Sequence, residues 1–178
     1  MDGLVHAVLL FIHVASVLVA LAAVLVIDYL HLYGLRHKKS RDTIIPYYSF
    51  LSSLIIGALV IIVLSGGILV YLNPSFLGKP LFLLKMGLFF VLCVNGFLLH
   101  KIVEPELLEP GESSPDYVDR IRLQSSFFGS ISLTTWLGIF ILAMTKQYGY
   151  SVGQFLMVYG VVFFVVFTVS MILELRYT

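Results

Sequence analysis

Five runs of about 20 apolar residues, each fenced by prolines, glycines or charges, leave this 178-residue chain little choice of fold. They fall at about 3–27, 49–72, 81–100, 126–145 and 152–173. An α-helix rises ~1.5 Å per residue, so roughly 20 residues cross the hydrocarbon of a bilayer. Irregular backbone has no hydrogen-bond partners among lipid tails, so the breaks belong at the interfaces. They are Arg36 to Asp42 ahead of Pro46, Asn73-Pro74-Ser75 with Gly78-Lys79-Pro80, the stretch 102–124 with three prolines, and Lys146 to Gly149. The pattern predicts an all-α, integral membrane bundle of five transmembrane helices in a single domain, 1–178.

Composition agrees. Soluble domains run at about 45–50% apolar and about 25% charged residues. Here the values are 60% and 12%, with a mean hydropathy of +1.02. The expected surroundings are therefore lipid, and a formal net charge of +1 points to no nucleic-acid partner. Cys93 is the only cysteine, so no intrachain disulfide or CxxC site can form. Its place inside an apolar run predicts a small packed hydrophobe. The first run exceeds the length of a signal h-region, lacks a basic n-region and ends in Asp28, so a retained helix is expected.

Charge gives the orientation. Arg36, Lys38, Lys39, Arg41, Lys101, Arg120, Arg122 and Arg176 fall on one side of the predicted bundle; Lys79 and Lys146 fall on the other. The positive-inside rule then places the N-terminus outside and the C-terminus in the cytoplasm of a cell-membrane protein. The loop 102–124 also holds Glu104, Glu106, Glu109, Glu112, Asp116 and Asp119, which reads as a solvated segment, with room for a short amphipathic helix at 116–124.

His13 stands out against this frame. It lies ~15 Å along the first helix from an outer start, near the bilayer midplane. Ionisable side chains there are costly, and by default they mark a site. One reading makes it an axial ligand to haem iron, which suits a neutral imidazole. The other makes it a neutral histidine hydrogen-bonded to a neighbouring helix. His6 shares its face but sits at headgroup depth. Lys85, at the start of the third helix, either snorkels to the outer headgroups or serves as a second ligand or a cation for an anionic group. Ser65-Gly66-Gly67 in the second helix lets a backbone or a flat ligand approach closely. Trp136 follows a strip of small polar residues, Ser126, Ser130, Ser132, Thr134 and Thr135, that reads mainly as helix-packing glue; the tryptophan itself could wall a porphyrin pocket. At the opposite ends, Asp28 with His31 and His100 with Glu104 have helical spacing that lets each pair share a face. No HExxH, GxSxG or P-loop pattern occurs.

Taken together, His13 followed by Val-Ala-Ser, Asp28-Tyr-Leu-His31, Ser65-Gly66-Gly67, and Pro80-Leu-Phe-Leu-Leu-Lys85-Met-Gly with Asn95 and His100 resemble the broad group of bacterial copper-resistance D-type membrane proteins and membrane-bound, haem-containing protoporphyrinogen oxidases. The likeness spans roughly the first hundred residues. It implies haem attachment at His13 and a functional role for Lys85. The Trp-Gly or Trp-Ala-Gly step that often follows the histidine in that group is missing here, and Ile27-Asp28-Tyr29 stands where the oxidase carries an arginine.

The expectation is a haem-b-binding membrane protein, engaged in electron transfer or porphyrin-related redox chemistry, with His13 as metal ligand and Lys85, Gly66, Gly67 and Trp136 as further cofactor contacts between helices one to four. A membrane oxidoreductase falls within that reading, with a redox or membrane-protein partner or a homodimer as its assembly. The alternative is a non-enzymatic membrane subunit or small ion or metal transporter, with His13 and Lys85 lining a polar path.

Overall fold

Two antiparallel helices, α1 (Asp2–Arg36) and α2 (Arg41–Leu72), pair along a seam of small side chains in the computed structural model. The structure describes residues 2–36, 41–103, 115–144 and 151–176. Every described element is helical, and five helices are long and apolar enough to cross a membrane. The spans are Gly3–Leu30, Pro46–Leu72, Pro80–Leu98, Ser126–Met144 and Val152–Leu173, so each predicted run is met by a helix. The chain divides into two compact units, Met1–Phe82 and Leu83–Thr178.

In the first unit the buried positions of α1 are Ser16, Ala20, Ala23 and Val24; those of α2 are Ala58, Ile62, Ser65 and Leu69. Spacings of three and four keep each set on one face. Small residues let the backbones come close, which is how helices associate where no hydrophobic drive exists between them. The opposite faces carry Phe11, Leu18, Phe50, Ile56 and Leu64 exposed, as lipid-facing surfaces require.

The helices outrun the apolar segments. α1 continues past Asp28 to Arg36, and α2 begins at Arg41 and passes through Pro46, which the sequence marked as a breaker. Proline removes one donor and leaves the carbonyl four residues earlier without its partner. Here that carbonyl belongs to Asp42, next to the charged end of α2, where water can satisfy it.

After α2 a 3-10 turn, Pro74–Gly78, reverses the chain. The Ser75 hydroxyl donates to Asn73 Oδ1 at 2.6 Å, and Lys79 Nζ lies 5.3 Å from the Phe76 ring centroid. Pro80 opens α3 (Pro80–Leu98), a favoured place for proline because the first N–H of a helix is unpaired anyway.

In the second unit α3 buries Leu88, Leu92 and Asn95 and ends in a π-helical turn, Leu99–Val103. Asn95 Nδ2 donates to the Phe128 carbonyl at 3.0 Å, tying α3 to α4 (Pro115–Met144). α4 starts well before its apolar run, so the predicted amphipathic stretch 116–124 is the first part of a continuous helix. α5 (Val152–Arg176) runs antiparallel to α4. Ser170 donates to Ser126 at 3.2 Å, and Thr135 and Tyr159 share a 2.8 Å hydrogen bond further along. Between them Phe127 packs edge-on against Phe163 and Phe167. Cys93 is exposed on α3 rather than packed inside.

Candidate functional site

His13 on α1 and Ser65 on α2 meet across the seam of the first unit, with Nδ1 3.0 Å from Oγ. The Ser65 hydroxyl has a single proton. It goes to the carbonyl of Ile61, one turn back, at 2.6 Å. Such back-bonding is the usual way a membrane helix satisfies a serine. With its proton spent, Ser65 Oγ must accept, so His13 Nδ1 carries the hydrogen. The lone pair of the ring then resides on Nε2.

This is the bond to a neighbouring helix that the sequence offered as one reading of His13, and it also holds the ring in direction. Ser16, one turn along α1, donates its own hydroxyl to the Ile12 carbonyl at 2.8 Å.

Gly66 makes the close approach sterically allowed. A Cβ at position 66 would stand 3.1 Å from His13 Cε1 and 3.5 Å from Nδ1. Gly67 is different: it is exposed, with nothing within 4 Å of where a Cβ would lie. Of the residues marked in the sequence, the fold therefore brings His13, Ser65 and Gly66 together. A signal for Ser65 was present. A helical hairpin pairs residues equally far from its turn, and His13 and Ser65 are equally far from Lys39 in the chain.

Lys85 and Trp136 belong to the second unit. Lys85 is half-buried on α3; Trp136 is almost fully buried on α4, at 2% exposure. His6 is half-buried on α1, and so is Asp28 at the far end of the first span. The side chains of His31 and His100, and the whole of Glu104, lie outside the described residues. Among the described residues no group of three or more histidine, cysteine, aspartate or glutamate side chains could hold a metal ion.

The second unit carries a separate polar feature. Asn95 Oδ1, Ser130 Oγ and Thr134 Oγ1 are buried without a hydrogen-bond partner. The predicted packing glue is thus only half used: Ser126 and Thr135 bond to α5, whereas Ser130 and Thr134 between them do not. Comparison with models of known protein families, with curated proteins and with solved structures finds no match to this chain.

Proposed function

We propose that this chain is a multi-pass protein of the cell membrane, N-terminus outside and C-terminus cytoplasmic, that binds a b-type haem through His13 and serves in electron transfer or porphyrin-related redox chemistry. The observation that supports it is the hydrogen bond between His13 Nδ1 and the Ser65 hydroxyl, itself bonded to the Ile61 carbonyl, which holds the imidazole in direction against α2. Bound there, a b-type haem supplies reversible one-electron exchange at its iron. The protein's own part is to hold the ring. Ser65 sets its tautomer and direction, and Gly66 lets it lie close to α2. The surrounding apolar residues keep water from competing for the ligand position.

Detergent-purified protein supplied with haem should show a Soret band, and His13→Ala should abolish it. Protein that stays colourless after haem is supplied overturns the proposal. Lys85 and Trp136 enter this reading through the sequence, and Lys85→Met and Trp136→Phe test them in the same spectrum.

A second reading rests on a different observation. The buried, unpartnered oxygens of Asn95, Ser130 and Thr134 favour a polar path through the second unit, as a small ion or metal transporter needs. In that case the protein is colourless, and Ser130→Ala changes ion uptake into vesicles.

A further inference from the structure

The turn between α2 and α3 provides partners for its own backbone. Residues 73–79 join two helices long and apolar enough to cross a membrane, Pro46–Leu72 and Pro80–Leu98, so the turn stands at a membrane surface. The Asn73 N–H donates to the Leu69 carbonyl at 3.1 Å and that of Phe76 to the Asn73 carbonyl at 3.3 Å. The N–H groups of Lys79 and Phe82 donate to the carbonyls of Phe76 and Lys79, each at 3.0 Å. Pro74 and Pro80 have no N–H to satisfy. The Ser75 hydroxyl is taken up by Asn73 Oδ1 at 2.6 Å. A turn that uses its donors in this way can sink into the headgroup layer, which an open loop resists because its backbone needs water.

The side chains suit that layer. Tyr71 is 83% exposed and Leu77 is 54% exposed, and no residue of the 3-10 turn is buried. Tyrosine favours the membrane interface, where one end of the ring is in an apolar medium and the other is wet. An acidic peptide or a soluble anion would neutralise a charge here and still leave Tyr71 and Leu77 in water.

The charge is that of Lys79. It is exposed, and residues 69–82 hold no aspartate or glutamate to pair with it. Its Nζ lies 5.3 Å from the centroid of the Phe76 ring, and that ring stacks on Phe82 at 5.8 Å. Cation–π attraction to the ring face holds the ammonium in place. An ammonium has three donors, and the ring covers only one side of it. The other donors suit phosphate oxygens, the anionic group that phospholipids carry at this depth.

We propose that the α2–α3 turn is a lipid-docking surface, seated in the headgroup layer with Tyr71 and Leu77 against lipid and the Lys79 ammonium on a phospholipid phosphate, where Phe76 positions it. The surface lies in the first unit, at the end of the α1–α2 hairpin away from its own connection. It stands independently of haem binding at His13.

Two measurements on the full chain in phospholipid nanodiscs, which leave both faces open to the buffer, test it. The first reads depth. Leu77→Trp and, separately, Tyr71→Trp each put a reporter at an exposed position, so neither removes packing. Trp136 is 2% exposed and out of reach of aqueous iodide, and the wild-type signal is subtracted. Both reporters should be quenched by iodide several-fold more weakly than free tryptophan amide, and strongly by lipid carrying a nitroxide on its headgroup. Iodide quenching of both reporters equal to that of the free amide overturns the proposal and marks the turn as a water-facing surface for a soluble partner. The second reads the phosphate contact. The lysine side chains are isotopically labelled at nitrogen, and the buffer is free of phosphate, so lipid is the only source of phosphorus. Solid-state NMR should show nitrogen–phosphorus dipolar dephasing, with a component that is lost in Lys79→Gln. Phe76→Leu keeps the apolar volume but not the ring face, and should weaken that component without removing it. Circular dichroism checks that each variant remains helical. Equal dephasing in wild type and Lys79→Gln overturns the proposal.

Discussion

The His13 imidazole stands 3.0 Å from the Ser65 hydroxyl through Nδ1, and the serine proton is already committed to Ile61. One hydrogen bond thus ties the histidine of α1 to α2 across the seam of their hairpin. The same pair explains why Gly follows Ser65: the ring needs the space that a side chain at position 66 would take.

Ser65→Ala removes the acceptor and leaves a buried N–H to find another. Interhelical hydrogen bonds in membranes average about 0.6 kcal/mol, rising to about 1.7, so a loss of about 1 kcal/mol in reversible detergent unfolding is expected. Loss of an orienting partner typically costs 10–100-fold in metal affinity, so haem should dissociate faster from this variant while the Soret band is still formed. Ser65→Thr keeps the hydroxyl and should retain most of both properties.

Gly66→Ala and Gly67→Ala are chemically the same change with opposite expected outcomes. At position 66 the new methyl meets the imidazole at 3.1 Å, so the ring must shift by a few tenths of an ångström. At position 67 it meets nothing within 4 Å, and helix propensity favours alanine by about 1 kcal/mol. Thermal unfolding should show the first variant less stable than wild type and the second equal or more stable. Equal effects would mean that the ring does not lie on Gly66.

Both the architecture and the histidine were legible in the residues, for different reasons. Apolar length alone sets the spans, because a bilayer demands a fixed number of residues per crossing. His13 was visible because its depth makes it costly. The helix ends were harder to read: Pro46 marks a break by composition, yet α2 runs through it. Ser130 and Thr134 looked like packing glue, and nothing local distinguishes a serine that bonds across a seam from one that does not. That difference depends on where α5 opens away from α4, which is a matter of side-chain volumes on both helices.

The start of α5 carries a reciprocal cap. The Gln154 backbone N–H donates to Ser151 Oγ at 3.2 Å, and the Ser151 backbone N–H donates to Gln154 Oε1 at 3.0 Å. Each bond satisfies a donor that a helix N-terminus leaves unpaired. Ser151→Ala should cost about 1 kcal/mol, and Ser151→Asp should restore most of it, as read by hydrogen exchange in the first turn of α5.

Gly138→Ala tests the α4–α5 seam beside Tyr159. A Cβ there would stand 3.2 Å from Tyr159 Cδ2 and 3.4 Å from Phe155 Cζ. The stacked pair must tilt, and the 2.8 Å bond between Tyr159 and Thr135 lengthens with it. The expected loss is about 1–3 kcal/mol from overpacking, larger than that of Tyr159→Phe, which gives up only the hydrogen bond. If Tyr159→Phe proves the more damaging of the two, the hydroxyl pair and not the ring contact holds this part of the seam.

Asn95→Leu should be close to neutral, which is not the usual result for a buried polar residue with a partner. Asn95 is 4% exposed and makes one good hydrogen bond, Nδ2 to the Phe128 carbonyl. That carbonyl belongs to α4 and has its own intrahelical partner, so losing the amide costs it little. The asparagine oxygen, by contrast, is buried with nothing to accept from. A net hydrogen bond is worth about 0.5–1.5 kcal/mol, whereas an unsatisfied buried group costs about 1–3. Leucine has the same branched heavy-atom skeleton and removes both terms, so reversible unfolding should change by less than about 1 kcal/mol in either direction. Asn95→Asp keeps the orphan oxygens and adds charge, and it should be strongly destabilising. A large loss in the leucine variant would show that Asn95 Oδ1 has a partner in the membrane, which would be the first direct sign of water or an ion inside the second unit.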